Sequence, residues 1–195
     1  MQRRNRSFTI PLTRDLIVLI LNSVETRKFL MVAKSITKLS PTPIKAMVGY
    51  GKSYREALTK VGNPEMLISS ELNEQTVVAH ADLNGYYTLL EKQGIYHIYK
   101  KVTVLIGKFR KITHKIGGVS TYLGGDNVLA FLPNTESIKI LMDQFSAKNV
   151  KVGIGIAYTP REAVALAAKA LANLRRKKSR RYKNNFRSIW KKSNK

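Results

Sequence analysis

Two short stretches hold residues whose types and spacing suit chemistry. In Thr76 to Asn84 (TVVAHADLN), His80, Asp82 and Asn84 stand at alternate positions, so an extended chain projects all three to one side and Ala81 and Leu83 to the other. Forty-four residues after Asp82, Asp126 follows Gly124-Gly125 and precedes Asn127. If the first stretch pairs with a hairpin tipped by the second, Asp82 and Asp126 approach, and two carboxylates relieve their repulsion by sharing a divalent ion. The chain has no cysteine, so a metal must sit on oxygen or histidine. Mg²⁺, which keeps waters and takes its remaining ligands from substrate phosphates, is the natural candidate. Gly124 and Gly125 permit positive φ and close backbone approach by a phosphate or base. Lys151, ahead of Gly153-Ile154-Gly155, has the charge and the reach for a phosphate. His80 alone reads as a structural hydrogen-bonder and the Gly-Gly-Asp turn alone as an ordinary hairpin. Together, at this spacing, they point to a nucleotide-triphosphate site. His97 and His114 have no ligand partner four residues on and read as surface histidines.

The elements that must position these residues follow from pattern. Thr76 to Asn84 predicts a strand and Tyr86 to about Lys115 a helix, with Gly94 a point of bending. Gly117-Gly118 ends that helix. Val119 to Leu123 and Val128 to Leu132 predict a hairpin around Gly124 to Asn127. A helix from Thr135 to about Phe145 and a strand from Val150 to Ala157 follow, then a last helix with Thr159 as N-cap and Pro160 at its first position. The order is β-α-β-β-α-β with an added helix.

The first third repeats the second half of this unit. Asp15 to Leu58 can be laid on Asp126 to Val164, with about five extra residues around Ser40-Pro41-Thr42-Pro43. Both run acid, apolar strand, turn, helix, Gly-containing strand, then Arg-Glu-Ala on a helix. The counterpart of Asp82 falls before residue 1, so the first repeat is expected to lack its opening strand and long helix, which leaves an exposed edge suited to pairing with another chain. The expected fold is α+β: duplicated β-α-β-β-α-β repeats, the first incomplete over 1–72, the second complete over 73–174, and a basic tail over 175–195.

The 195 residues carry 35 Lys and Arg against 12 Asp and Glu, a formal charge of +23 that favours polyanions over cationic partners. Eleven of those cations lie between Arg175 and Lys195, with no acid among them. Tyr182, Phe186 and Trp190 fall four apart there, so the tail is expected to be a weak helix or a disordered arm, a solubilising extension or a polyanion anchor. The longest apolar run, Leu16 to Leu21, is far short of the roughly 20 residues that span a bilayer. No membrane span or signal peptide is expected, and the chain reads as cytoplasmic.

With VVAHADLNGYY, YLGGDNVLAFLP, KVGIGIAYTPREAVALAAKAL and LANLR, the stretch from Thr76 to Arg175 resembles the C-terminal half of archaeal GTP cyclohydrolase III, and residues 12–62 resemble the later part of that family's N-terminal half. The resemblance implies two palm-type repeats akin to those of nucleotidyl and diguanylate cyclases. It also implies Mg²⁺-dependent opening of the imidazole ring of GTP, giving a formylaminopyrimidine ribonucleotide monophosphate with loss of phosphate. The family's motif positions fall on His80, Asp82, Asn84, Gly124, Gly125, Asp126 and Asn127. On these positions the metal is expected at Asp82 and Asp126 with the Leu83 carbonyl assisting, catalysis at Asp82, Asp126 and His80, base or ribose contacts at Asn84 and Asn127, and phosphate at Lys151. A homo-oligomer is expected. Leu16 stands where the family's N-terminal hairpin has Asn, and Asp15 keeps the hairpin acid without a strand partner. Two alternatives stay open: a nucleotidyl or diguanylate cyclase, which typically carries a further acid where this chain has Asn127, and a non-catalytic nucleotide- or nucleic-acid-binding protein.

Overall fold

A computed structural model describes residues 8–11, 17–20, 26–39, 47–49, 51–61, 75–145, 150–176 and 186–190. In chain order the elements are β1 (Phe8–Pro11), β2 (Ile17–Ile20), α1 (Thr26–Leu39), α2 (Tyr54–Thr59), β3 (Thr76–Leu83), α3 (Tyr86–Lys115), β4 (Val119–Gly124), β5 (Asn127–Leu132), α4 (Glu136–Phe145), β6 (Val150–Ala157), α5 (Pro160–Arg176) and β7 (Phe186–Trp190). From Thr76 onward the order is the expected β-α-β-β-α-β with a following helix, and the fold is α+β with two sheets.

β3 is the centre of a five-stranded sheet of order β4-β5-β3-β6-β7. It is antiparallel to both β5 and β6. Covered on both faces, it has no need of apolar-polar alternation, which is why Val77, Val78, Ala79 and Ala81 run on together. Val77, Ala79, Ala81 and Leu83 face one layer with Val128, Ala130, Leu132, Val152 and Ile154. Onto that layer α3 lays Ile98, Val102, Leu105 and Phe109, and α4 adds Leu141 and Phe145. The steps of three and four residues along α3 make one continuous apolar stripe. At Gly94 (φ 77°, ψ 170°) α3 is broken into two pieces, as the glycine predicts.

The opposite face bears Val78, Leu129 and Phe131, covered by α5 and by the β1–β2 hairpin through Ile10 and Ile20. Phe131 is the pin: its ring lies 5.1 Å from that of Phe8 and 5.9 Å from that of Tyr54, and it is fully buried. Phe131→Ala empties this contact and is expected to cost about 3–5 kcal/mol, read as a fall in the urea midpoint.

The backbone of α5 lies directly on β6. A Cβ on Gly155 would stand 2.0 Å from the Ala163 carbonyl oxygen, and one on Gly153 would stand 2.3 Å from that of Ala167. Only glycine admits this approach. The Thr159 carbonyl accepts the Ala163 N–H at 3.0 Å, which starts α5 where the Thr-Pro pair predicts. The same contact recurs in the first third: a Cβ on Gly49 would meet the Ala57 carbonyl oxygen at 1.9 Å, with Ala57 in the Arg-Glu-Ala of α2. The expected Gly-containing strand is not formed there, however; residues 47–49 and 51 are not in a strand, and in place of ladder pairing α2 docks on the end of α3, the Arg55 N–H donating to the Gly117 carbonyl at 3.1 Å. Asp15 and Leu16 lie outside the described residues, as does the 72/73 boundary.

The tail departs from expectation in two ways. α5 continues through Arg176, so the charge-based boundary after residue 174 cuts into a helix. Phe186–Trp190 is a strand and not a helix: β7 runs parallel to β6 from Val152↔Phe186 to Ile156↔Trp190. The open edge of β6 presents unpaired backbone groups, and an added strand satisfies them where an isolated short helix satisfies nothing beyond itself. Tyr182 lies outside the described residues. Among the described residues no helix is long and apolar enough to cross a membrane.

Candidate metal and nucleotide site

β3 places His80 and Asp82 on the face that α5 covers, beyond the end of the apolar layer, and Asn84 follows in the turn after the strand, which ends at Leu83 rather than at Asn84. The β4–β5 hairpin brings its tip alongside. A register shift between Tyr122 and Gly124, positive φ at Gly124 (104°) and Gly125 (60°), and a bond from the Tyr122 hydroxyl to the Gly125 carbonyl at 2.9 Å turn the chain so that Asp126 points back over β3. There Asp126 Oδ2 accepts the Leu83 N–H at 3.0 Å. Both carboxylates are buried, Asp82 at 4% exposure and Asp126 at 9%. The structure therefore joins the two acids that the sequence pairs. Lys151 stands opposite Asp82 in the β3–β6 register, on the same face, and its charge favours ionised Asp82.

Asn127 is the hub. Its Oδ1 receives His80 Nε2 at 3.1 Å and Arg175 Nη2 at 3.2 Å, and its Nδ2 donates to Asp126 Oδ1 at 3.2 Å. Because that Oδ1 only accepts, His80 must carry its proton on Nε2, which leaves Nδ1 as a bare lone pair when the ring is neutral. Burial pushes the His80 pKa below its ordinary value, opposed by the bond to Asn127. Burial likewise pushes the Asp82 carboxyl up, opposed by Arg175, whose Nε donates to Asp82 Oδ2 at 2.5 Å.

Arg175 is the residue that sequence reasoning missed. Charge density groups it with the basic tail, although it also closes the LANLR stretch that carries the family resemblance. A second signal is helical period: it follows Leu174, which is buried, on a helix whose first turn the Thr-Pro pair locates.

Four buried side-chain polar atoms among the described residues lack a hydrogen-bond partner: His80 Nδ1, Asp82 Oδ1, Asn84 Oδ1 and Thr113 Oγ1. Two of the four lie on one face of β3 and a third, on Asn84, in the turn that follows it. An orphaned buried acceptor is costly, and three within five residues mark a place where a ligand completes the bonding. Asp82 Oδ1 is a carboxylate oxygen with no donor, which fits a hard cation. No group of three or more His, Cys, Asp or Glu is found among the described residues, so the protein supplies two carboxylates at most and the rest must come from backbone, water or ligand oxygen.

The GTP cyclohydrolase III family model matches residues 4–187 of the chain. The chain belongs to the GTP cyclohydrolase III family. Relatives named GTP cyclohydrolase III include one from Aeropyrum pernix, 34% identical over 178 residues, covering 87% of this chain and 74% of the relative. Another, from Sulfurisphaera tokodaii, is 33% identical over 171 residues with the same coverage, and one from Saccharolobus islandicus is 29% identical over 174 residues, covering 87% and 75%. Among solved structures, the chain is similar to the GGEEF domain of a diguanylate cyclase from Vibrio cholerae, with a TM-score of 0.47, 11% identity and coverage of 62% of this chain and 85% of that one. It is also similar to a diguanylate cyclase from Pseudomonas aeruginosa in complex with its activator, with a TM-score of 0.48, 16% identity and coverage of 85% and 68%. Membership of the GTP cyclohydrolase III family makes the chain an enzyme of that type, and its His80, Asp82, Asp126 and Asn127 are joined in one network through Arg175 and the hairpin tip.

Proposed function

We propose that the chain hydrolyses GTP with the help of Mg²⁺, opening the imidazole ring to a formylaminopyrimidine ribonucleotide monophosphate and releasing phosphate. The observation that carries this reading is the buried pair Asp82, on β3, and Asp126, in the β4–β5 turn, with Asp82 Oδ1 lacking a partner. Asp82 and Asp126 would hold the ion, with the Leu83 carbonyl as a further oxygen. The chemistry supplied by the ion when bound is Lewis-acid polarisation of phosphate oxygens and acidification of water.

The chain's own residues divide the remaining work. In ring opening one water adds to the carbon between the two imidazole nitrogens, and the bond from that carbon to the ribose-bearing nitrogen breaks. The carbon stays as a formyl group on the other nitrogen, and the freed nitrogen takes a proton. His80, with a lone pair on Nδ1 and burial holding the ring neutral, is suited to accept the water's proton and return it to that nitrogen. Loss of each phosphate consumes a further water at a phosphoanhydride bond. Gly124 and Gly125 leave open space over the hairpin for the nucleotide, with nothing within 4 Å of a Cβ built on Gly124. Asn84 offers its unpartnered Oδ1 to a base or ribose donor, and Lys151 offers charge to phosphate.

The test is mass spectrometry of nucleotides after incubating purified protein with GTP and Mg²⁺. A ring-opened monophosphate that retains the formyl carbon is the expected product. A cyclic nucleotide or dinucleotide product, or unchanged GTP with folded protein, would overturn the reading.

A further inference from the structure

Arg175 sits in the last turn of α5 with its guanidinium reaching back over β3. It donates from Nε to Asp82 Oδ2 and from Nη2 to Asn127 Oδ1, and Asn127 in turn donates to Asp126 Oδ1. One guanidinium thus holds the first carboxylate directly and the second through one amide. The two ends of the bridge differ: the Asp82 side chain is 6% exposed, whereas that of Arg175 is 48% exposed. Asp82 is fixed in a central strand, but Arg175 is free to swing into solvent without disturbing α5.

We propose that Arg175 is a built-in competitor of the divalent cation: it neutralises Asp82 in the metal-free protein and must leave when the cation binds. The inference rests on the metal site proposed above. Two cations on one buried carboxylate repel strongly where water is excluded, so a dication cannot join Asp82 at full strength while the guanidinium stays. A displaced arginine needs a new anion, and a polyphosphate chain brought by the nucleotide offers the fork-shaped guanidinium better partners than water does. Cation binding is then weak alone and strong with nucleotide, and by linkage each raises the affinity of the other by the same factor. The site so arranged does not trap free divalent ions, and it is neutralised when empty.

The test is calorimetric titration of Mn²⁺ into the unaltered protein, Arg175→Met and Arg175→Lys, with and without the β,γ-imido analogue of GTP. Without nucleotide, Arg175→Met is expected to bind Mn²⁺ at least ten-fold more tightly than the unaltered protein, with Arg175→Lys between. The affinity gained from the analogue is expected to shrink in Arg175→Met. Equal or weaker Mn²⁺ binding by folded Arg175→Met overturns the inference and leaves the metal site standing. No Mn²⁺ binding by any form, analogue included, overturns both. Should Arg175→Met fail to fold, the unaltered protein decides. Its Arg175 Nε–H signal, assigned by its loss in Arg175→Lys, should exchange with water at least ten-fold faster in saturating Mg²⁺; an unchanged exchange rate overturns the inference.

Discussion

Asp126→Asn is expected to lower GTP turnover by about a thousand-fold or more, equivalent to about 4 kcal/mol of transition-state stabilisation, with the fold retained. The fold should survive because the amide oxygen of an asparagine can still accept the Leu83 N–H that Asp126 Oδ2 accepts at 3.0 Å. What is lost is charge, along with one polar contact. The Asn127 amide, which donates to Asp126 Oδ1, would face another amide donor, and half of the carboxylate charge available to a divalent cation would be gone. Asp82→Asn should fall as far, because it removes the other half of that charge together with the carboxylate oxygen, Oδ1, that has no donor. Single-turnover rates, with circular dichroism as the control for folding, measure both. Activity of either variant within ten-fold of the unaltered protein would remove these carboxylates from the mechanism.

Gly155→Ala is expected to destabilise the chain by about 3 kcal/mol, at the upper end of the ordinary range for forcing a methyl group into a packed interior. The added carbon would lie 2.0 Å from the Ala163 carbonyl oxygen and 2.4 Å from the Ala167 backbone nitrogen. Neither can yield without α5 lifting from β6 as a body. Since Arg175 rides on the end of α5, the displacement also carries its guanidinium away from the polyphosphate it would meet, and turnover should fall together with stability. A urea denaturation series gives the first quantity and steady-state rates the second. A midpoint shift below that of an ordinary surface substitution would show that α5 does not need this contact.

Much of this was legible before any coordinates. Alternation along TVVAHADLN, the Gly-Gly-Asp turn and the Thr-Pro helix start are local signals, and each marked its element to within a residue or two. The meeting of Asp82 with Asp126 was legible because antiparallel pairing of a strand with a hairpin constrains where the tip falls. The order of glycines and Arg-Glu-Ala in the first third was read from the repeat, but the close approach of Gly49 to the Ala57 carbonyl was not. What escaped were features decided at a distance. Charge density assigned Arg175 to the tail, while its partner stands on a strand far back in the chain. The four-residue spacing of Tyr182, Phe186 and Trp190 suggested a helix, but the unfilled edge of β6 decides for a strand, and no local pattern reports that an edge is open.

The bonds that build the site connect residues far apart along the chain. Leu83 and Asp126 are separated by 43 positions, and Asp82 and Arg175 by 93. The central strand has no partner next to it in sequence: one neighbour is reached only after α3 and a hairpin, the other only after α4. Closing loops of this size before any contact rewards them slows folding, so the α3 piece after Gly94 and the β4–β5 hairpin are expected to form early and the ladders of β3 late. Arg175 can reach Asp82 only once β3, β5 and α5 are all in place. The ion pair is then among the last contacts made, so its appearance during refolding reports completion of the whole molecule: the carboxylates gain their counter-charge at the moment the chain becomes native.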